Sequence, residues 1–233
     1  MRTIERVPSG IPGLDELMEG GLPRGRITLV TGSAGSGKTT FGVQFLWAGA
    51  VHHGEPGAYV TLEEEPEDLQ EEMARYGFDL ERLKADKRFC IIQSPVPFEV
   101  TGVTITIDQL LDTIHSSVIA IDAKRIVFDS VAALGLPYGD PIQLRRDLHR
   151  LCAMLRELGC TALLLTERPE EENRITRYDI EQFVAQGVIV LHFSRTHRGI
   201  EIRKMRGTRH ETDVHTMRLT DRGIVVHPGE HPF

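Results

Sequence analysis

The chain has 233 residues, 40% of them hydrophobic and 26% charged, with a net charge of −7. That length suits one domain (1–233) with a sizeable core, and the acid excess argues against a nucleic-acid binder acting through its whole surface, while leaving room for a local basic patch. Cys90, Cys152 and Cys160 form no CxxC pair, MRTIERVPSG has no apolar leader, and no apolar run reaches membrane-span length, so a cytoplasmic protein with reduced thiols and no membrane association is expected.

Residues 8–25 are rich in Gly and Pro around a short helical piece, GLDELM. RITLVT (26–31) reads as an apolar strand, and KTTFGVQFLWAGAVHHG (38–54) as a helix with Phe41, Phe45 and Ala48 on one face. GAYVTL (57–62) is a second strand. Pro66 sits where a first helical turn begins, and the helix stops at Gly77. FCIIQ (89–93) is a strand, TIDQLLDTIHSSVI (106–119) a helix, and RIVFDS (125–130) a strand. PIQLRRDLHRLCAMLRELG (141–159) is the clearest amphipathic helix, and TALLLTE (161–167) is another buried strand. GVIVLHF and IEIRKM, joined by SRTHRG, read as a hairpin; TMRLT and IVVH, joined by DRG, read as a second. The pattern implies an α/β fold: a mainly parallel sheet flanked by helices, extended by C-terminal antiparallel hairpins. It shows no internal repeat or linker.

GSAGSGKT (32–39) fits G-x-x-x-x-G-K-[ST] at every position, between a strand and a helix. Gly35 and Gly37 let the backbone turn its amides toward phosphate oxygens, and the helix start adds its positive end. Lys38 supplies a mobile charge for the outer phosphates, and Thr39 a hydroxyl for Mg²⁺. Gly35, Ser36, Gly37, Lys38, Thr39 and Thr40 are therefore the expected nucleotide contacts. Asp129 ends the apolar run Ile126-Val127-Phe128 and is the second expected metal-side residue; Asp122 and Asp140 do not follow a buried strand.

VTLEEEPEDL (60–69) places Glu63 and Glu64 at the end of a strand that should finish beside the phosphate loop, where a carboxylate can orient the attacking water. The competing reading is helix-start chemistry, which suits Glu65, Glu67 and Asp68 around Pro66. Three adjacent carboxylates repel, so at least one should need a cation nearby. Lys204 and Arg206 alternate with Met205 and would project from one face of a strand; Arg195, Arg198, Arg203 and Arg209 are close in sequence, and a solvated basic hairpin is the competing reading.

Together with SGIPGLDELMEGGLPRG, LTERPEE, RYDIEQF, KMRGTRH and LTDRGIVV, these motifs cover nearly the whole chain. The chain resembles the KaiC-like branch of the RecA-type ATPases. The resemblance implies a RecA-like P-loop core, a homo-oligomeric ring that is usually a hexamer, and ATP with Mg²⁺ bound between adjacent subunits. Glu63 and Glu64 match the family's water-activating pair. Lys204, Met205 and Arg206 match its K-x-R motif, whose cations reach the neighbour's γ-phosphate. Thr208, His210, Thr220 and Asp221 fall where the neighbour contacts the ribose and phosphates. Tyr76 falls at a nucleotide-side position that commonly holds a small hydroxyl residue. Aligned through RYDIEQF, the autophosphorylation positions of the family's autokinase half are Glu181 and Gln182, which carry no hydroxyl. The chain thus resembles the hydrolytic half, and Thr176 has no positive support as an acceptor.

The expected function is Mg²⁺-dependent ATP hydrolysis by a ring that serves a regulatory role, with a possible protein partner. One alternative is a DNA-binding recombination or repair accessory, favoured by the basic stretch 195–209 and opposed by the acidic total. Another is a scaffold that binds ATP with negligible turnover. The scattered histidines and cysteines indicate no metal other than Mg²⁺.

Overall fold

The computed structural model describes residues 4–93, 106–134, 141–168, 184–194 and 197–232. Thr176, Glu181, Gln182, Asp140 and Arg195 lie outside the described residues. The chain opens on a small antiparallel ladder, β1 (Arg6–Val7) with β2 (Leu22–Pro23), enclosing a 3-10 turn at Asp15–Met18. There follow β3 (Ile27–Gly32), α1 (Lys38–His52), β4 (Gly57–Thr61), α2 (Pro66–Ala74), α3 (Leu80–Ala85), β5 (Phe89–Gln93), α4 (Ile107–Ala120), β6 (Arg125–Asp129), α5 (Val131–Leu134), α6 (Pro141–Glu157) and β7 (Thr161–Glu167). The last strands are β8 (Gly187–Ser194), β9 (His197–Met205), β10 (His215–Thr220) and β11 (Gly223–His227).

Among the described residues, nine strands form one sheet in the order β11-β10-β9-β8-β3-β7-β6-β4-β5. The segment from β8 to β5 is parallel, and β9, β10 and β11 are antiparallel. The first strand of the first hairpin thus joins the parallel part, because β8 pairs with β3 rather than only with β9. The β-branched and leucine-rich strands alternate between two cores, as a period of two requires. Ile27, Leu29, Ile126, Phe128, Ala162 and Leu164 pack under α4 and α6. Val30, Val127, Leu163 and Leu165 pack under α1, on the opposite face.

Helix α1 is apolar around most of its circumference because it is covered twice, by the sheet and by the N-terminal segment. A Cβ at Gly42 would lie 2.8 Å from Val127 Cγ1, so glycine permits the helix to sit this close to β6. The fully buried Arg125 closes the base of this layer. Its Nε pairs with Glu55 at 2.7 Å, and Nη1 donates to the carbonyls of Pro8 and Phe45 at 2.9 Å.

Three local expectations are refined. The strands of the first hairpin are longer than expected, the first running to Ser194 and the second starting at His197. Gly223 pairs with Thr220, so the second turn is Asp221-Arg222. Short α3 is an addition; its N-cap Asp79 accepts from the Arg82 amide at 2.9 Å.

Candidate active site

The parallel strands β3, β7, β6 and β4 end on one edge, and the chemistry-bearing residues collect there. Residues 33–37 turn between β3 and α1 through left-handed backbone at Gly35 (φ 72) and Gly37 (φ 100). A Cβ on Gly32 would stand 2.4 Å from Ser36 Oγ, so the strand can meet the loop only as glycine. Ser36 and Thr40 are buried, and the Ser36 hydroxyl has no hydrogen-bond partner among the described residues. Lys38 Nζ folds over the loop and donates to the carbonyls of Gly32 and Ser33, each at 3.0 Å. Burial lowers the pKa of this ammonium, while Glu167 and Asp129 oppose the shift.

Asp129 is the meeting point of the neighbouring strands. Its Oδ2 accepts from Thr39 Oγ1 at 3.0 Å and from the Tyr59 hydroxyl at 2.6 Å. Burial raises its pKa; the bonds from Tyr59 and Thr39 and the charge of Lys38 hold it back. A hydroxyl and a carboxylate in contact, beside a phosphate loop, form the hard-oxygen donor set that Mg²⁺ takes when substrate phosphates complete its shell. These residues fit the ion, although no group of three or more His, Cys, Asp or Glu that could hold a metal occurs among the described residues.

The glutamate run divides in two. Glu65 is the N-cap residue of α2, Pro66 its first residue, and Glu67 and Asp68 lie in its first turn. Glu63 and Glu64 precede it at the strand end. The Thr61 hydroxyl closes that turn by accepting from the Glu64 amide and donating to its carbonyl, both at 2.9 Å. The three glutamates line a cleft of about 570 Å³ with Asp68, Glu71, Glu72 and Arg75. Burial and the charges of Glu72, Asp129 and Asp68 push the Glu64 carboxyl up to about 7. The charges acting most on Glu64 are all negative, and Arg75 is the cation among the residues that line the cleft.

This shift predicts a pH dependence. An unfolded Glu64 ionises near 4.5, so between that value and about 7 the native chain keeps a proton that the unfolded chain releases. Native stability therefore falls as pH rises through that window. The melting temperature of the nucleotide-free protein should drop from about pH 5 to about pH 7.5, and Glu64→Gln should flatten part of that slope. An unchanged slope in the variant would contradict the assignment.

The remaining expected residues split between two edges. Thr220 and Asp221 lie on the phosphate-loop edge of their own chain. The turn they enter is tied to α1 by Gln44, whose Oε1 accepts from the Ile224 amide at 2.7 Å, and Asp221 shares a cleft of about 500 Å³ with Tyr76, Trp47 and Phe78. Lys204 and Arg206 lie at the other edge: Lys204 is level with Val188, and the Arg206 amide bonds Gln186, which is itself level with Ile27. Gly32 is five residues further along β3, roughly 17 Å at strand rise, which an arginine side chain does not bridge. Thr220 and Asp221 thus stand on a different edge of this chain from Lys204 and Arg206, with the sheet between the two sets. Met205 lies between these two cations. Its side chain is buried in its own core against Gly187, and its carbonyl accepts from the Thr208 amide at 3.1 Å. Arg206 is exposed, whereas Lys204 is half-buried and donates to the Ala185 carbonyl at 2.9 Å.

The basic hairpin is partly committed as well. Arg198 stacks on Phe193 at 4.4 Å and donates to the Gly35 carbonyl at 3.4 Å, and Arg203 pairs with Glu201 at 3.0 Å. Two residues of the site were not singled out from sequence. Glu167 stands opposite Gly32 in register and acts on Lys38; an acid after an apolar strand, the pattern that flags Asp129, also marks it. Tyr59, inside β4, has no such signal.

A family model described as ATPase: KaiC matches residues 7–231. The circadian clock oscillator protein KaiC of Acaryochloris marina is 37% identical over 232 residues, which cover 97% of this chain and 44% of that protein. KaiC 1 of Synechocystis sp. is 39% identical over 232 residues, with the same coverage of each. This chain therefore spans less than half the length of these relatives. Among solved structures, a KaiC-like protein of the hyperthermophilic archaeon Pyrococcus horikoshii is 41% identical with a TM-score of 0.87, and the match covers 97% of this chain and 100% of that one.

Proposed function

This chain belongs to the KaiC family of ATPases, and from that premise we propose that it hydrolyses ATP with Mg²⁺ at a site completed by a second copy of itself. The assembly is a homo-oligomer, in the family's manner a hexameric ring, whose nucleotide state serves a regulatory role in the cytoplasm and is read by a protein partner. The observation that carries this reading is the placement of Arg206. It is exposed on the sheet edge opposite its own phosphate loop, while the charges acting most on Glu64, beside that loop, are negative. A ring built by head-to-tail contacts brings these two edges together.

In this mechanism the loop amides and Lys38 hold the phosphates, with Lys38 exchanging its bonds to Gly32 and Ser33 for phosphate oxygens. Thr39 and Asp129 hold Mg²⁺, which supplies charge neutralisation on the outer phosphates. Glu63 and Glu64 orient the attacking water and draw its proton, a role that the raised Glu64 pKa suits near neutral pH. Arg206 of the adjacent copy meets the charge that develops on the transferred phosphoryl group. Thr220, Asp221 and Tyr76 contact the nucleotide from its own subunit, and Thr208 and His210 from the neighbour.

The paired substitution Glu63→Gln with Glu64→Gln tests the hydrolytic step. It removes base character and keeps size and polarity, so ATP binding should persist while turnover falls about 10²- to 10³-fold. Equilibrium binding beside steady-state turnover measures both, and wild-type turnover in the double variant would refute water activation.

A further inference from the structure

The segment after β9, residues 206–211, is fastened to the N-terminal part of the chain at its ends and in its middle. Arg26 Nη1 donates to the Arg206 carbonyl at 2.7 Å, and the Glu211 amide donates to the Leu17 carbonyl at 3.0 Å. Between these points Arg6 spans two partners. Its Nη1 donates to Thr208 Oγ1 at 2.6 Å and its Nη2 to Glu19 Oε2 at 2.9 Å; the same carboxylate oxygen accepts from the Arg209 amide at 3.2 Å. Gly207 makes the turn in left-handed backbone, φ 71, against the N-terminal segment: a Cβ there would lie 2.7 Å from Ile4 Cδ1.

Folding alone gives little reason for this fastening. The Arg6 and Glu19 side chains are 17% and 42% exposed, so the pair is shielded from water on one side only and adds modest stability. A loop that must present a cation to another molecule's site has a different requirement, because a misplacement of about 1 Å at the reacting centre can slow a reaction about 10²-fold.

We propose that Arg6 and Glu19 are positioning residues for the shared site: they clamp residues 206–211 so that Arg206 meets the neighbouring copy's phosphates in the productive geometry. The proposal rests on the shared-site reading above. Neither residue touches the reacting atoms. Arg6 acts through the Thr208 hydroxyl, and Glu19 through Arg6 and the Arg209 amide.

The test uses the full chain with Arg6→Ala, Glu19→Gln and Arg206→Ala, singly and with Arg6→Ala and Arg206→Ala combined. Turnover is read at saturating ATP and Mg²⁺, beside the melting temperature. Arg6→Ala should lower kcat about ten- to hundredfold. Its melting temperature should stay within about 3 °C of wild type, as expected for a lost surface pair. Glu19→Gln keeps an acceptor for both donors and should stay within about threefold of wild-type kcat. Adding Arg6→Ala to Arg206→Ala should change nothing further, because the clamp matters through the residue already removed. A merely structural role would instead lower turnover equally in both backgrounds, and that result overturns the clamp. Wild-type kcat in Arg6→Ala, beside a strongly impaired Arg206→Ala, also overturns it and leaves the shared site standing. Wild-type kcat in Arg206→Ala removes the shared site itself.

Discussion

Replacing Lys38 with Ala is expected to weaken ATP binding at least about 10²-fold and, with it, any nucleotide-dependent assembly; each net hydrogen bond to a charged group contributes about 1.5–3 kcal/mol. The ammonium lies over the loop, already directed at two carbonyl oxygens that phosphate oxygens would replace. The same substitution should leave the nucleotide-free fold intact. Burial disfavours the charged form of Lys38, so the native state gains little by holding it there. The ligand-free melting temperature should therefore stay at or above wild type, which separates lost binding from lost folding. Binding is measured with ATP and Mg²⁺, and assembly by native mass with and without them. Unchanged affinity would refute the phosphate-loop assignment.

The loop was legible because its chemistry is local: glycine for φ above zero, lysine and a hydroxyl at fixed spacing, a strand before and a helix after. Asp129 was legible for a similar reason, since an acid ending an apolar run must leave a buried strand at its rim. The two-core alternation of β3, β6 and β7 was likewise written in the residues. What escaped depends on contacts distant in sequence. Tyr59 reads as one more buried residue of a strand, and only the register of β4 with β6 brings its hydroxyl to Asp129. Arg125 reads as a strand's polar start, yet it is fully buried between Glu55 and two carbonyls. The separation of Thr220 and Asp221 from Arg206 could not be seen either. Both sit near strand ends, and strand direction decides which edge each end reaches.

That separation gives the largest expected effect. Arg206→Ala should lower turnover about 10³-fold or more, the range observed when an arginine supplied in trans is lost from phosphoryl transfer. The loss alone does not say whose site was damaged, and mixing does. An Arg206→Ala subunit keeps Lys38 and both glutamates. A subunit with Glu63→Gln and Glu64→Gln keeps Arg206. Where the first receives its cation from the second, a complete site forms although neither parent is active. In a randomly mixed one-to-one ring about a quarter of the interfaces have this order, so turnover should recover to about a quarter of wild type. Recovery on the own-chain alternative is nil at every ratio, because each subunit would then lack part of its own site. Native mass verifies that the two variants co-assemble, and a co-assembled mixture with no recovered turnover overturns the shared site. A shared site also ties activity to concentration. Below the point where the assembly dissociates, turnover per subunit should fall steeply on dilution, since an isolated copy keeps its phosphate loop on one edge and the exposed Arg206 on the other.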